Sequence, residues 1–160
     1  MVRKLLFILL FIPLVSFGQD LFFIGESSYQ STQKAVLKSD VYGEDLTILF
    51  AKNNDSKYIV AQTDRIIAFK FVDKLLVYLN NGDVISLPSP VKTDYVNETT
   101  TGMYLLSDEN VNKLKETNIN SIAYSLRYNN IKNKKFMVKI NSDYGNSLRL
   151  DRINKFFNLE

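Results

Sequence analysis

The chain has 160 residues, a formal net charge of +3, and neither cysteine nor histidine. The missing residue types exclude disulfide bonds, thiol chemistry, Ser-His-Asp and Cys-His catalysis, and the usual zinc and copper sites. Any enzymatic chemistry would have to use carboxylates, lysine, tyrosine or serine. A chain of this length can bury enough apolar surface to fold as one domain without a disulfide or a metal.

The first eighteen residues have the three parts of a secretory signal peptide. These parts are the cations Arg3 and Lys4, the apolar run Leu5 to Val15, and the small residues of a cleavage site in Ser16-Phe17-Gly18. The run would rise only about 16 Å as a helix, roughly half of a membrane's hydrocarbon core. We therefore expect cleavage near Gly18/Gln19 and a secreted or periplasmic domain over residues 19–160, not an integral membrane protein. A buried N-terminal helix is the alternative interpretation.

The region after this segment predicts a β-hairpin. Leu21 to Ile24 is either a first strand or the end of the export signal, and Gln33 to Lys38 indicates a short helix. Alternating apolar residues then predict two strands joined by a polar turn. The predicted elements are a strand at Leu46 to Phe50, a turn at Asn53 to Ser56 and a return strand at Tyr58 to Gln62.

A further hairpin is predicted around Asn81-Gly82, because Asn-Gly favours the positive φ angles of a type I′ turn. Its strands lie within Leu75–Leu87, and the apolar residues 75–79 are typical of a strand covered on both faces. Asp73-Lys74 is predicted to be a turn from an earlier strand at Ile66 to Val72. Pro88 to Thr101 has no pattern and is predicted to be a long loop, a possible site anchored by Tyr95 and Val96.

The last third of the chain predicts two helices and a hairpin. Ser107 is a suitable N-cap for a short helix near 108–117, preceded by a strand at Met103 to Leu106. In the strand Ile119 to Tyr128, the residues divide between two faces. One face carries Ile122, Tyr124, Leu126 and Tyr128, and the other carries Ser121, Ala123, Ser125 and Arg127. Phe136 to Ile140 is predicted to be the second strand of a hairpin with this strand. Leu148 to Leu159 is predicted to be an amphipathic helix that covers the hairpin. These elements together predict an α+β fold with a mostly antiparallel sheet of hairpins.

Part of this region resembles small exported proteins of unknown function of the Bacteroidota type. The residues that carry the resemblance are Tyr104-Leu105-Leu106-Ser107-Asp108-Glu109, Lys113-Leu114-Lys115, Ile119-Asn120-Ser121-Ile122-Ala123-Tyr124 and the cleavage-site residues Ser16-Phe17-Gly18-Gln19. The sequence departs from that pattern at Ala123, where an arginine is common. The resemblance implies an exported compartment and a strand-helix-hairpin-helix arrangement, and it implies no activity.

Oxygen-bearing side chains are the remaining candidates for chemistry. The adjacent carboxylates Glu44-Asp45 point to opposite faces if they lie on a strand, and Asp108-Glu109 suit the start of a helix. A hydrolase using either pair is the least favoured function. Asn53-Asn54-Asp55 and Asp143 to Asn146 lack the spacing of a calcium loop and are interpreted as turns. We therefore assign no catalytic, cofactor-binding or metal-binding residues and no cofactor.

Charge is divided unevenly along the chain. Residues 19–112 contain eight basic and thirteen acidic side chains, whereas residues 113–160 contain ten basic and four acidic ones. The basic candidates are Lys132, Lys134, Lys135, Arg149 and Arg152. They form either a basic face for an acidic partner, such as an envelope protein, or an ordinary solvated surface. Cleavage of the signal would lower the formal charge to +1, so the chain's basic balance does not predict a nucleic-acid partner.

These observations favour a non-catalytic binding or interaction module that is exported to the cell envelope. The alternative is a carrier of small apolar ligands, with a pocket lined by residues such as Phe69, Phe71 and Tyr78.

Overall fold

The computed structural model describes residues 20–39, 45–128, 134–139 and 150–158. Within these ranges the chain forms two antiparallel sheets and two short helices. The strands are β1 (Asp20–Ile24), β2 (Ser27–Ser31), β3 (Ala35–Leu37), β4 (Leu46–Asn53), β5 (Ser56–Asp64), β6 (Lys70–Leu79), β7 (Val84–Leu87), β8 (Lys92–Val96), β9 (Thr99–Leu106), β10 (Ile119–Arg127) and β11 (Lys134–Lys139). The helices are α1 (Asp108–Glu116) and α2 (Leu150–Asn158). The predicted α+β fold is confirmed.

The first sheet has the strand order β1-β2-β4-β5-β9-β8, and β3 also pairs with β4. β2 and β3 share one edge of β4, and the interruption between them is bridged by Thr32, whose hydroxyl accepts a hydrogen bond from the Phe50 amide at 3.0 Å. The sheet curves into a half-barrel, so that its two ends approach each other. There the Lys92 ammonium donates to the Ser27 hydroxyl at 2.8 Å.

Three central strands of the half-barrel, β4, β5 and β9, are buried on both faces. On the enclosed side, Leu49, Val60 and Met103 pack against residues of the β1–β2 hairpin such as Phe22 and Tyr29. The opposite side carries a second row of buried residues that packs against the second sheet and the helices. That row includes Ile48, Phe50, Ile59, Ala61 and Tyr104.

The second sheet has the strand order β11-β10-β6-β7. Its inner face joins the main core through residues such as Phe71, Leu75, Ile122, Tyr124 and Phe136. The hairpin within Leu75–Leu87 is confirmed, because residues 75–78 pair with residues 84–87.

The first helix forms where the sequence predicts it. The Ser107 hydroxyl accepts a hydrogen bond from the Asn110 amide at 3.2 Å, and Val111 and Leu114 are the buried residues of α1. Such a cap satisfies one of the unpaired amides at the start of a helix.

The second helix does not cover the last hairpin, so that part of the prediction is wrong. Phe157 of α2 packs its ring edge-on against Phe50 of β4, with centroids 5.5 Å apart. The Asn154 side chain donates to the Lys115 carbonyl, which joins α2 to α1. The helix therefore lies on β4 and α1.

The loop predicted for Pro88 to Thr101 is also wrong. Residues 92–96 form β8, which pairs with residues 99–103 of β9. The turn residues Asn97 and Glu98 have φ angles of 49° and 62°. A type I′ turn requires positive φ at both central positions. Glutamate is rare at such a position, so the sequence gives no turn signal there.

Three smaller predictions need correction. Residues 33–38 contain the strand β3 in place of a helix, with buried Ala35 and Leu37 flanking exposed Val36. Asp73-Lys74 is not a turn but part of a bulge within β6, at which β6 gains two residues against β10. The residues of β6 are not covered on both faces, because Leu76 and Tyr78 are only half-buried.

The turn of the Leu75–Leu87 hairpin differs in type from the prediction. The Gly82 amide donates to the Leu79 carbonyl at 3.1 Å, and the Leu79 amide donates to the Asp83 carbonyl at 2.9 Å. Gly82 has a φ of 91°, whereas Asn81 does not have a positive φ. This pattern is a three-residue loop in which a type I turn precedes a left-handed glycine.

Candidate binding surface

The side of the second sheet that faces away from the core is the candidate binding surface, and we call it the outer face. Cross-strand register arranges its residues in rows. One row is Met137, Ala123, Leu76 and Ser86, a second is Lys135, Ser125 and Val72, and a third includes Ser121, Tyr78 and Val84. The apolar residues Ala123, Leu76 and Val72 lie on the two central strands, while Met137 and Val84 lie on the edge strands β11 and β7.

Small residues on the central strand β10 make a furrow in the outer face. Ser121 and Ser125 are only 5% exposed, although they point away from the core. Longer side chains on the neighbouring strands flank them, because the cross-strand partners of Ser125 are Val72 and Lys135. The predicted division of β10 into two faces is correct, but the face carrying the serines is less hydrated than expected.

A groove of about 530 Å³ crosses the outer face. Ser125 and Leu76 lie at its floor, Lys135 at one end, and Pro88 and Ser89 at the other. Asp73 and Lys74 also line it, because the bulge in β6 brings both residues to the groove. Asp73 has a φ of 58°, a left-handed conformation that side chains other than glycine seldom adopt.

The charges of the outer face are mainly positive. Lys70 and Arg127 are cross-strand partners at one end, while Lys74 and Lys135 border the groove. On the described outward positions of β6, β10 and β11, Asp73 supplies the negative charge. A surface with this balance attracts anionic groups, and its apolar centre favours contact with a protein surface.

The structure only partly assembles the basic residues that the sequence analysis selected. Lys135 lies on the outer face, whereas the Lys134 ammonium lies 4.8 Å from the centroid of the Phe136 ring. Arg152 belongs to α2, which packs elsewhere, and Lys132 and Arg149 lie outside the described residues. Arg127 was predicted on this face of β10 but was not selected as a basic candidate. Lys70 and Lys74 were not identified, because only the strand register and the bulge bring them to this face.

The candidate carboxylates are engaged by cations and do not converge. Lys57 Nζ lies 2.8 Å from Asp108 Oδ1, and Lys113 Nζ lies 2.7 Å from Glu109 Oε1. Hydrogen bonds from these two lysines hold the pKa of each carboxyl below its usual value. Glu109 thus points to a lysine on its own helix, while Asp108 points to β5.

Asp45 makes contacts that stabilise the fold. Burial raises the pKa of Asp45, but hydrogen bonds from the Lys38 ammonium and the Ser39 amide outweigh this effect and lower it. The contacts join the end of β3 to the start of β4. Glu44 lies outside the described residues.

Tyr104 is a buried tyrosine whose ionisation is altered by its surroundings. Its hydroxyl lies in the core without a hydrogen-bond partner among the described residues. Burial, and then the negative charge of Asp73, raise the pKa of Tyr104 above its usual value. The side chain is therefore a neutral phenol at physiological pH and a poor general base.

The oxygen-rich segment at Asn53 to Asp55, which the structure describes, is not part of a metal site. Asn53 to Asp55 belongs to the β4–β5 hairpin turn, in which Asn54 has a φ of 49°. Residues 143–146 lie outside the described residues. Across the part of the chain that the structure describes, no three acidic side chains come together as metal ligands. The described helices also include none with the length and apolar character to span a membrane.

The three residues selected for an apolar pocket do not line one. Phe71 packs in the core against Tyr104 and Tyr124, whereas Tyr78 lies on the opposite side of β6. Phe69 packs against Tyr128 at the edge of the core.

Comparisons with protein-family models, curated proteins and solved structures find no match to this chain. The resemblance between residues 104–124 and small exported proteins stays a prediction.

Proposed function

We propose that this protein is an exported, non-catalytic binding module whose outer face binds an acidic protein of the cell envelope. The observation that carries the proposal is the groove in which Lys74 and Lys135 flank the furrow at Ser125. Half-buried Leu76 and 56%-exposed Met137 beside this groove supply apolar contact area. Charge would steer the partner, and the apolar centre would contribute to its retention.

Export is the second part of the proposal. It is supported by the charged start, the short apolar run and the small residues up to Gly18 in the sequence. Cleavage between Gly18 and Gln19 would leave the whole of β1 in the mature protein. Mass spectrometry of the protein from periplasm and medium is expected to give a mature N-terminus at Gln19. An intact N-terminus in the cytoplasm would contradict export.

Site-specific photo-crosslinking in the producing cells tests the partner. A photoreactive amino acid in place of Met137 is expected to capture a discrete acidic protein. The matched control is the same amino acid in place of Leu105, which is 45% exposed on the first sheet. Yield at position 137 should fall in the double variant Lys74→Glu and Lys135→Glu. It should also fall when the salt concentration of an extract rises from about 0.05 to about 0.5 M, because salt screens charge attraction.

Two results would overturn the binding proposal. The first is capture of the same proteins at positions 105 and 137, which would indicate non-specific adhesion. The second is a yield that is unchanged by charge reversal in a double variant with wild-type circular dichroism and thermal unfolding.

A further inference from the structure

A second groove lies on the first sheet, away from the outer face. Its floor is a row of side chains that crosses four neighbouring strands. Register places Leu21 opposite Gln30, Gln30 opposite Lys52, and Lys52 opposite Lys57. With strands about 4.8 Å apart, this row is about 14 Å long. We call it the transverse groove.

Three different elements form the walls of the transverse groove. Phe157 of α2 lies on the core side, and the β4–β5 turn at Asn54 and Asp55 lies on the opposite side. Asp108, at the start of α1, borders the end near Lys57. The groove has a volume of about 790 Å³, which is within the range of small-molecule sites.

The charges along the transverse groove cancel. Lys52 and Lys57 contribute two positive charges, and Asp55 and Asp108 contribute two negative charges. Lys57 pairs with Asp108, while the Lys52 ammonium donates to the Phe156 carbonyl at 3.2 Å. A ligand with a large net charge is therefore only weakly attracted to this groove, in contrast to the outer face.

The polar side chains of the groove are mainly amides and hydroxyls. Gln30 and Asn54 are exposed, and neither side chain makes a hydrogen bond to another described residue. Asn53 donates through Nδ2 to the Ser28 carbonyl, which holds the turn against β2. An amide offers donors and acceptors on one planar group, and a hydroxyl group needs both kinds of partner.

Exposed apolar side chains lie at the open end of the same surface. Leu21 and Phe23 are each 63% exposed on β1. Phe23 is the cross-strand partner of Ser28, so its ring stands beside the groove. An exposed ring next to free amides suits a ligand that has both apolar C–H faces and hydroxyl edges.

We infer that the transverse groove binds a short, neutral oligosaccharide. Sugar hydroxyls would pair with the amides of Gln30 and Asn54, and the C–H face of a sugar ring would rest on Phe23. A purely apolar ligand would leave the amides desolvated without partners, which is unfavourable. This site is independent of the acidic partner proposed for the outer face.

The test uses defined probes: neutral tri- and tetrasaccharides of glucose, mannose, galactose and N-acetylglucosamine. Backbone amide shifts are followed by NMR in the mature protein. At least one probe is expected to bind with a Kd of about 1 mM or tighter and to shift the amides of Ser28, Gln30 and Asn54. Gln30→Ala should weaken binding about tenfold, because it removes hydrogen bonds. The matched control Asn112→Ala removes an exposed amide of α1 and should leave the affinity unchanged.

Several outcomes would overturn the inference. One is that no probe binds at concentrations up to about 10 mM. Another is that the amide shifts map outside the groove. A third is that a folded Gln30→Ala variant binds with unchanged affinity. Binding of a neutral serine- and asparagine-rich peptide without any sugar would assign the groove to peptides instead. Lys135→Glu should not alter sugar binding, so this test can fail or succeed separately from the proposed function.

Discussion

Gly102 of β9 lies directly beneath Phe71 of β6, so the two sheets approach each other closely at this point. A Cβ atom on residue 102 would lie 2.6 Å from Phe71 Cβ and 2.7 Å from Phe71 Cγ. The Phe71 ring is in turn held between Tyr104 and Tyr124. Glycine is required here by contact distance, since residue 102 does not have a positive φ.

Gly102→Ala is therefore expected to lower the free energy of unfolding by about 1 to 3 kcal/mol through overpacking. The atoms in conflict are the rigid base of Phe71, which cannot move without shifting β6. Urea denaturation of both proteins measures the change. Gly25→Ala shows the cost of backbone strain without overpacking, because its φ is +57° and nothing lies within 4 Å of its added Cβ. A Gly102→Ala variant as stable as the wild-type protein would contradict the packing explanation.

Glu98 has a φ of 62° in the turn between β8 and β9, a conformation that glycine adopts without strain. Its carbonyl accepts a hydrogen bond from the Arg65 amide at 2.6 Å, which anchors the turn to the end of β5. Glu98→Gly is expected to raise the free energy of unfolding by about 0.5 to 1 kcal/mol. Thermal unfolding should shift upward by a few degrees.

Glu98→Ala separates the backbone effect from the loss of a charge. Alanine keeps the strained φ, so this variant should lack the stabilisation gained with glycine. If both variants gain equally, the carboxylate and not the backbone angle is the source of the effect.

Elements with a local signal in the sequence could be predicted, and elements without one could not. The helix after Ser107 and the β4–β5 hairpin have local caps, turns and periodicity, and both are confirmed. The strand β8 was missed, because its turn at Asn97 and Glu98 lacks the glycine that normally marks positive φ. The short segment at Ala35 was interpreted as a helix, because three residues are too few to show a two-residue period.

The two candidate surfaces could also be predicted only in part from the sequence. The pattern of β10 separates Ser125 from the core residues, so one strand of the outer face was predictable. Lys74 reaches the same groove only through two extra residues in β6, at a place where the sequence indicated a turn and not a bulge. The transverse groove joins Leu21 to Lys57, and that proximity depends on the order of four strands. Strand order is set by long-range packing, which a local pattern does not report.

Asp108 should titrate below its usual pKa of 3.8 in the folded protein, because Lys57 donates a hydrogen bond to it and adds a positive charge. A lowered folded-state pKa means that the ion pair stabilises the fold above pH 3.8. This stabilisation is lost as the pH falls through the folded-state pKa. NMR titration of the Asp108 carboxyl carbon is expected to give a midpoint below 3.8, and Lys57→Gln should raise it.

The control for this titration is Lys113→Gln. Lys113 pairs with Glu109, so its removal should raise the pKa of Glu109 toward 4.5 and leave the Asp108 midpoint nearly unchanged. An Asp108 midpoint that does not respond to Lys57→Gln would show that the ion pair does not form in solution.

Phe157→Ala is expected to lower the free energy of unfolding by about 3 to 5 kcal/mol, because it empties a buried ring site in the core. The ring contacts Phe50 on β4 and Phe156 on the same helix. Lys155→Ala, at an exposed position of α2, should change the free energy by less than about 0.5 kcal/mol. Urea denaturation measures both variants.

Hydrogen exchange then distinguishes the two possible locations of α2. In this structure α2 lies on β4 and α1, with the Lys52 ammonium 5.3 Å from the centroid of the Phe156 ring. Phe157→Ala should therefore increase amide exchange in α1 and near Phe50 before it affects β10 and β11. If protection were lost first in β10 and β11, the helix would be covering the last hairpin, as the sequence alone had indicated. The order of loss decides between these arrangements because amides exchange through local opening when their covering element is released.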